Sequence, residues 1–339
     1  MSTTSLREFA AQRRGYLPVL ATTALFALTL EAGNYRYYGF LSGQVLANLF
    51  VDNAYLLVIA VGMTFVILTG GIDLSVGAVG ALTTMLCANL VERQGWPPLL
   101  VIPLVLAVGA VLGAGMGYAI HHFEVQPFIA TLAGMFFARG LCYLISTDSI
   151  PISDHLFTTL AQSHLTLPGG VFVSWSVVIA VLVVAAAFVV LHYTRFGRAV
   201  YAVGGNPQSA LLMGVPVGRT VIRAYTVSGL CSALGGVLFT LYTLSGYSLH
   251  LVGTELDAIA AVVIGGTLLT GGSGYILGTV LGVLVLGVIQ TIITFEGTLS
   301  SWWTKIAVGT LLFVFVLLQR IMTARRQHAP RHQRARRSA

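Results

Sequence analysis

The chain has 339 residues, of which 56% are hydrophobic and only 9% are charged. Soluble domains carry roughly 25% charged residues, so this composition excludes an ordinary soluble protein and predicts a polytopic membrane protein. The three cysteines, Cys87, Cys142 and Cys231, lie inside apolar stretches, which favours packing roles over disulfide or metal chemistry.

The hydrophobic stretches predict about ten membrane spans, because a spanning helix needs about 20 apolar residues. We therefore expect an all-α transmembrane domain over residues 16–320. The predicted spans cover residues 16–32, 44–69, 73–91, 98–120, 127–147, 171–192, 221–243, 257–271, 275–294 and 302–320.

The net charge of +7 comes mainly from arginine clusters before the first span, in the loop 193–220 and after residue 320. Cytoplasmic segments of membrane proteins are enriched in Arg and Lys, so this pattern predicts that both termini are cytoplasmic. Residues 1–15 are then a short cytoplasmic segment. Residues 321–339 form a basic tail, which we expect to be disordered near anionic headgroups. Nucleic-acid binding is disfavoured, since no aromatic platform accompanies the charge.

A single acid, Asp73, interrupts the apolar stretch from Val58 to Leu90 and follows two glycines. Desolvating an ionised carboxylate costs several kcal/mol, so this position needs an explanation. One interpretation is an N-cap for a helix that begins at Leu74. The other is a broken helix inside the membrane that lines or gates a translocation path.

A short internal similarity accompanies this break. Leu68-Thr69-Gly70-Gly71 recurs as Leu269-Thr270-Gly271-Gly272, and each copy lies between two apolar segments. Four identical residues can match by chance, which is the simpler explanation. The alternative is a repeat that pairs two corresponding helix breaks, as in transporters with repeated halves.

Arg139 lies within the predicted span 127–147 and needs a polar partner there. Asp52 and Asp73 are both candidates for that partner. Farther along the chain, Thr254-Glu255-Leu256-Asp257 fits a capping box ahead of an apolar run, which would place both acids in the first turn of a helix.

The loop 193–220 contains a well-delimited short helix. Asn206 is a good N-cap, Pro207 suits the first helical position, Gln208 to Met213 can form about two turns, and Gly214 and Pro216 end them. Leu211, Leu212 and Met213 form an apolar edge that could enter a groove on a partner protein. The alternative is a helix that only lies on the lipid headgroups. The candidate docking residues are Asn206, Pro207, Ser209, Ala210, Leu211, Leu212, Met213 and Gly214.

The sequence contains no nucleotide-hydrolysing motif. A P-loop requires a Gly-Lys pair, and the only lysine, Lys305, follows Trp302-Trp303-Thr304. No motif of a zinc protease or a serine hydrolase is present either. We therefore predict a chain that is not an enzyme, binds no metal and holds no cofactor.

The sequence contains four long blocks that are typical of one protein family: DNAYLLVIAVGMTFVILTGGIDLSVGAV, QPFIATLAGMFFARG, TRFGRAVYAVGGNPQSALLMGV and ELDAIAAVVIGGTLLTGG. Together they resemble the bacterial sugar-transport permeases of the ribose, arabinose, xylose and galactofuranose type. These permeases are the membrane subunits of ABC importers, and the resemblance covers essentially residues 44–320. The block FEGTLSSWWTKIAVG and the stretch DNAYLLVIAVGMTF are most similar to the galactofuranose permease.

The resemblance implies a type II importer permease in the bacterial inner membrane, paired with a second permease chain. It also implies a separate cytoplasmic ATPase that holds ATP and Mg²⁺, and a periplasmic sugar-binding protein. The Asn206–Gly214 segment would be the coupling helix that contacts the ATPase.

The remaining polar residues then have a possible role in the sugar path. Glu255, Asp257 and Tyr247 could present carboxylates and an aromatic face to sugar hydroxyls or to the binding protein. With Asp73 and Arg139 they are the candidate path or gate residues. The alternative function is an ion-coupled secondary sugar transporter in which Asp73, Asp257 and Arg139 act as relays.

Overall fold

The computed structural model describes residues 17–298, 300 and 302–327. The predicted segment 1–15 and the end of the predicted tail therefore lie outside the described residues. Helices dominate the described part. In chain order they are α1 (Leu17–Arg36), α2 (Gly43–Leu68), α3 (Val76–Ala88), α4 (Pro98–His122), α5 (Pro127–Ile145), α6 (His155–Gln162), α7 (Trp175–Tyr193), α8 (Arg195–Gly205), α9 (Pro207–Leu212), α10 (Val217–Thr243), α11 (Thr254–Ile264), α12 (Ile276–Glu296) and α13 (Trp302–Gln327).

Seven helices of the described chain are long and apolar enough to cross a membrane, namely α2, α4, α5, α7, α10, α12 and α13. The prediction of about ten full spans is therefore not confirmed. Helices α3 and α11 occupy predicted spans but have only 13 and 11 residues. At 1.5 Å per residue they reach about 20 Å and 16 Å, short of the ~30 Å hydrocarbon core. Both are short because glycine pairs interrupt the chain beside them.

The described part of the chain is mostly helical, as expected, with two short antiparallel strand pairs. A hairpin joins β2 (His164–Leu167) to β3 (Val171–Ser174), so the predicted span 171–192 begins with a strand. A second pair joins β1 (Ile150–Pro151) to β4 (Ser245–Gly246). Helix α13 also continues to Gln327, past the predicted span end at residue 320.

The connection between α5 and α6 is held near the end of α3 by one carboxylate. The Ser153 amide and hydroxyl both donate to Glu92, which lies in the π-helical turn Asn89–Arg93 that extends α3. These hydrogen bonds hold the pKa of Glu92 below its usual range.

Helices α2 and α10 form the centre of the bundle, and small residues allow their neighbours to approach closely. A Cβ on Gly113 of α4 would lie 2.2 Å from the Tyr225 carbonyl oxygen of α10. A Cβ on Gly62 of α2 would lie 2.7 Å from the Cβ of Cys231. Such contacts are typical of membrane helices, whose association depends on close backbone packing.

The two similar tetrapeptides contact each other. Gly70 donates to the Ile67 carbonyl and Gly271 to the Leu268 carbonyl, both at 2.9 Å, and the two glycines have φ values of 85° and 83°. The two copies therefore form the same turn. The Gly272 amide, in turn, donates to the Leu68 carbonyl at 2.9 Å. The two helix breaks are hydrogen-bonded to each other.

A third glycine completes this junction. Gly204, near the end of α8, packs so closely that a Cβ there would lie 1.7 Å from the Leu68 carbonyl oxygen and 2.5 Å from the Gly272 nitrogen. We call these contacts among Leu68, Gly204 and Gly272 the glycine junction. It connects the ends of α2 and α8 to the turn that joins α11 to α12.

Gly204→Ala should destabilise the protein, because its methyl group would collide with backbone atoms that cannot rotate away. We expect a loss of about 1–3 kcal/mol, the usual cost of overpacking. The adjacent Gly205→Ala is a matched control, since a Cβ at Gly205 meets nothing within 4 Å. That change should be neutral or stabilising by up to ~1 kcal/mol through helix propensity. Thermal unfolding of the purified chain measures both, and equal midpoints for the two variants would contradict the junction.

Candidate functional site

Asp73 is fully buried and bonded to neutral groups. Its Oδ1 accepts hydrogen bonds from the Ser75 amide at 3.0 Å and the Ser75 hydroxyl at 2.6 Å. Its Oδ2 accepts from the Ser228 hydroxyl of α10 at 2.7 Å. Ser228 lies about 16 Å along α10 from Val217, at a rise of 1.5 Å per residue. The carboxylate is therefore deep within the bundle.

This geometry agrees only in part with the capping interpretation. The following helix begins at Val76, not Leu74, and its N-cap position is Ser75. The Asp73 carboxylate bonds the amide two residues ahead, as a cap does, and also reaches across to α10. Asp73 thus fixes the start of α3 against α10, in the manner expected of a broken helix. Its role in gating stays a prediction.

A further interruption of helical structure lies between α10 and α11. Residues 244–253, which we call the α10–α11 connection, run along α3 from its far end toward its start. A Cβ on Gly246 would lie 2.5 Å from the Thr84 oxygen, and one on Gly80 would lie 2.6 Å from Leu251. Helix α11 then begins beside Gly77, where a Cβ would lie 2.4 Å from Glu255 Oε2. The first turns of α3 and α11 therefore meet inside the bundle.

Arg139 holds the α10–α11 connection in place. Its Nη1 donates to the backbone oxygens of Ser248 at 2.5 Å and His250 at 2.9 Å. The expected pairing with Asp52 or Asp73 is wrong, because Asp73 is bonded by serines and Asp52 accepts from the Tyr242 hydroxyl at 3.4 Å. A cation inside the bundle here satisfies carbonyls that a non-helical turn leaves without helical partners.

The acids at the start of α11 do not form the expected capping box. The N-cap position is Gly253, with no side-chain cap, and Thr254 is the first helical residue. Asp257 instead makes an ion pair with Lys305 of α13 at 2.7 Å. Tyr247 makes no hydrogen bond to either acid in the described chain. Its ring contacts the His250 ring edge-on, with centroids 5.8 Å apart.

Three buried polar atoms near Arg139 have no hydrogen-bond partner within the described chain: Ser248 Oγ, His250 Nδ1 and Glu255 Oε2. Buried polar groups are nearly always hydrogen-bonded, to protein or to water. These atoms can therefore bind water or the hydroxyls of a passing solute. The structure brings Arg139, Glu255 and the α10–α11 connection into one region. Asp73 lies apart from this group, just before the start of α3.

The candidate docking segment has the local structure that the sequence predicts. The Asn206 side chain accepts from the Ser209 amide at 2.8 Å, α9 starts at Pro207, and Gly214 has a φ of 78° just after its end. Ala210 is buried, whereas the side chains of Leu211, Leu212 and Met213 are 64%, 89% and 72% exposed. A contiguous apolar edge is thus free to contact another surface.

A polar face lies near the start of α2, at the end away from the glycine junction, where the sequence predicted no site. Asn48 and Asp52, four residues apart, face Gln290 and Thr294 of α12 across a cavity. Their i, i+4 spacing on otherwise apolar helices was the available signal. Within the described residues, no group of three or more His, Cys, Asp or Glu side chains could hold a metal ion.

Known proteins similar to this chain are transport permeases. A family model described as branched-chain amino acid transport system / permease component matches residues 45–317. The inner membrane ABC transporter permease protein YjfF of Escherichia coli is 50% identical over 317 residues, 93% of this chain and 96% of that protein. The fructose import permease protein FruG of Bifidobacterium longum is 40% identical over 336 residues, 96% of this chain and 98% of that protein. The ribose import permease protein RbsC of Bacillus subtilis is 42% identical over 270 residues, 78% and 81% of the two chains. No solved structure gives a significant match.

Replacing Asp73 by Leu should destabilise the chain strongly, because it leaves the Ser75 amide and the Ser228 hydroxyl buried without an acceptor. Each unsatisfied group costs about 1–3 kcal/mol. Asp73→Asn should cost less, since the amide oxygen can still accept from Ser75. Ser228→Ala, which removes one contact only, is the control. Thermal unfolding in detergent tests this order, and a Leu variant as stable as the wild type would disprove it.

Proposed function

Because the chain belongs to the family described as branched-chain amino acid transport system / permease component, we propose that it is the permease subunit of an ABC importer that moves a monosaccharide. With seven helices long enough to cross a bilayer and inner-membrane relatives, it is a multi-pass inner-membrane protein. The chain itself catalyses no reaction. ATP and Mg²⁺ bind a separate ATPase, and a binding protein delivers the sugar from outside.

The names of the relatives support a sugar over a branched-chain amino acid as the substrate. FruG is named for fructose, RbsC for ribose, and MglC of Escherichia coli, 35% identical over 305 residues, for galactose and methyl galactoside. The finer proposal, galactofuranose, rests on the sequence blocks around Asp52 and Lys305. YjfF, the relative with 50% identity, carries no sugar in its name.

The glycine junction is the observation that carries the mechanism. We assign α9 as the coupling helix, with its exposed apolar edge in a groove of the ATPase. Helix α8 leads directly into α9, and Gly204 of α8 lies against both the Leu68 carbonyl and the Gly272 amide. A movement of α9 would therefore be transmitted through backbone contacts to the end of α2 and to the turn between α11 and α12.

The end of α2 and the turn between α11 and α12 are connected along the chain to the candidate path residues. The turn after α2 carries Asp73 and the start of α3, and α11 carries Glu255 and Asp257. Displacing both together would shift the meeting point of α3 and α11, which lies beside Arg139. Together with a second permease chain and the ATPase, this displacement provides alternating access to the two sides of the membrane.

Transport assays distinguish this function from ion coupling. The complex, purified through a tag on this chain and reconstituted in vesicles, should accumulate labelled D-ribose, D-fructose or D-galactose only when ATP reaches the ATPase. The chain alone should accumulate none under a sodium or proton gradient. Uptake by the chain alone, driven by either gradient, would overturn the importer proposal in favour of a secondary transporter.

Leu212→Glu should weaken assembly with the ATPase, because it places a charge in the apolar contact. Truncating or charging a central contact residue costs 2 kcal/mol or more, about 30-fold in affinity. Gln208→Glu is the matched control, since it adds the same charge to an exposed position of α9 without removing apolar surface. Co-purification of the ATPase with each variant is the measurement. Equal recovery for both would assign α9 to the lipid surface instead.

A further inference from the structure

A cavity of about 190 Å³ lies between α2 and α12, near the end of the bundle that the charge pattern assigns to the outside. Its polar lining is formed by six side chains from the two helices. They are Asn48, Asp52, Asn53, Gln290, Thr291 and Thr294. Hydrocarbon cannot satisfy such a surface, so this face of the two helices meets either a water-filled path or another protein chain.

The cavity exists because of one glycine. Gly287 of α12 faces Asn53 of α2, and a Cβ there would lie 2.7 Å from the Asn53 amide nitrogen. The Asn53 amide is held by the Leu49 carbonyl at 2.9 Å, so it forms a fixed base. Larger residues at position 287 would push the helices apart or fill the space. The site is therefore built by packing and not by a mobile surface.

The cavity volume selects a small ligand. Drug-sized ligands occupy sites of about 300–1,000 Å³, and 190 Å³ is below that range. A single small ring with its hydroxyl groups therefore suits this space better than a disaccharide does.

The chemistry of the lining matches hydroxyl groups. The Thr291 and Thr294 hydroxyls donate to carbonyls of their own helix at 2.9 Å, which leaves their oxygens as acceptors. Asp52 is an acceptor held by one 3.4 Å contact from Tyr242, and Gln290 offers both a donor and an acceptor. Phe295 adds an apolar ring, which suits the C–H surface of a sugar.

The charge pattern also selects against ions. Among the described lining residues only Asp52 is charged, so an anionic solute would be repelled. The neighbouring Glu296 is paired with Arg36 at 3.1 Å and contributes little net charge. One carboxylate among amides and hydroxyls is a weak cation site, whereas each sugar hydroxyl can both donate and accept here.

We propose that this cavity is a weak binding site for one monosaccharide, occupied as the sugar enters the path. The proposal rests on the proposed function and names a place for its substrate.

Protection of an introduced cysteine tests the site directly. The native cysteines are all buried, so Thr294→Cys gives one accessible thiol in the described chain. We expect D-ribose, D-fructose or D-galactose to slow its labelling by a charged thiosulfonate by the factor 1 + [L]/Kd, about twofold at half-occupancy. Sucrose, which is too large, should not slow it. Gln290→Cys provides a second reporter if the first variant does not fold.

The matched control is Ser149→Cys, at an exposed turn far along the chain from the cavity, whose labelling should not respond to sugar. Adding Asp52→Ala to the reporter should abolish protection. The proposal is overturned if none of the three sugars protects, if sucrose protects equally, or if sodium without sugar protects. Labelling requires neither ATP nor the ATPase, so loss of protection and loss of ATP-driven uptake are separate results.

Discussion

A buried backbone amide or carbonyl needs a hydrogen-bond partner, and this requirement governs the two helix breaks. After Leu68 and again around Gly272 the chain leaves helical geometry inside a bundle. The breaks satisfy each other through the Gly272 amide and the Leu68 carbonyl. Glycine is required there because side chains would occupy the space of the hydrogen-bonded backbone. The rest of the arrangement depends on this contact, since it joins the end of α2 to the turn that precedes α12.

The same constraint explains the choice of partners for buried charges. Asp73 is stabilised by two serines and a backbone amide, and Arg139 by two backbone carbonyls. Neither is part of an ion pair within the described residues. Each charge therefore stabilises a non-helical segment whose polar groups would otherwise be unsatisfied. Acid and base are thus kept apart in the described part of the chain.

Several features were predictable from residues close together in sequence. Composition predicted the membrane class, and family-like blocks predicted a transport permease. The limits of α9 followed from Asn206, Pro207 and Gly214, because capping and helix termination depend on neighbouring residues. The predicted count of ten spans was not confirmed because hydrophobicity alone cannot distinguish a full span from a short helix followed by buried, non-helical chain. The Thr254 capping box was wrong because the N-cap position is Gly253, and Asp257 pairs with Lys305 on another helix.

The sequence by itself thus determined the class of protein, the approximate helix positions and the local caps, all of which depend on composition and short-range hydrogen bonding. Only the tertiary structure decided what the polar residues contact. Ser228 lies 155 positions from Asp73, and Ser248 lies 109 from Arg139. The similar tetrapeptides, about 200 positions apart, pair through backbone atoms that carry no side-chain signal. Such contacts arise from how the helices pack, so no local pattern in one sequence identifies them.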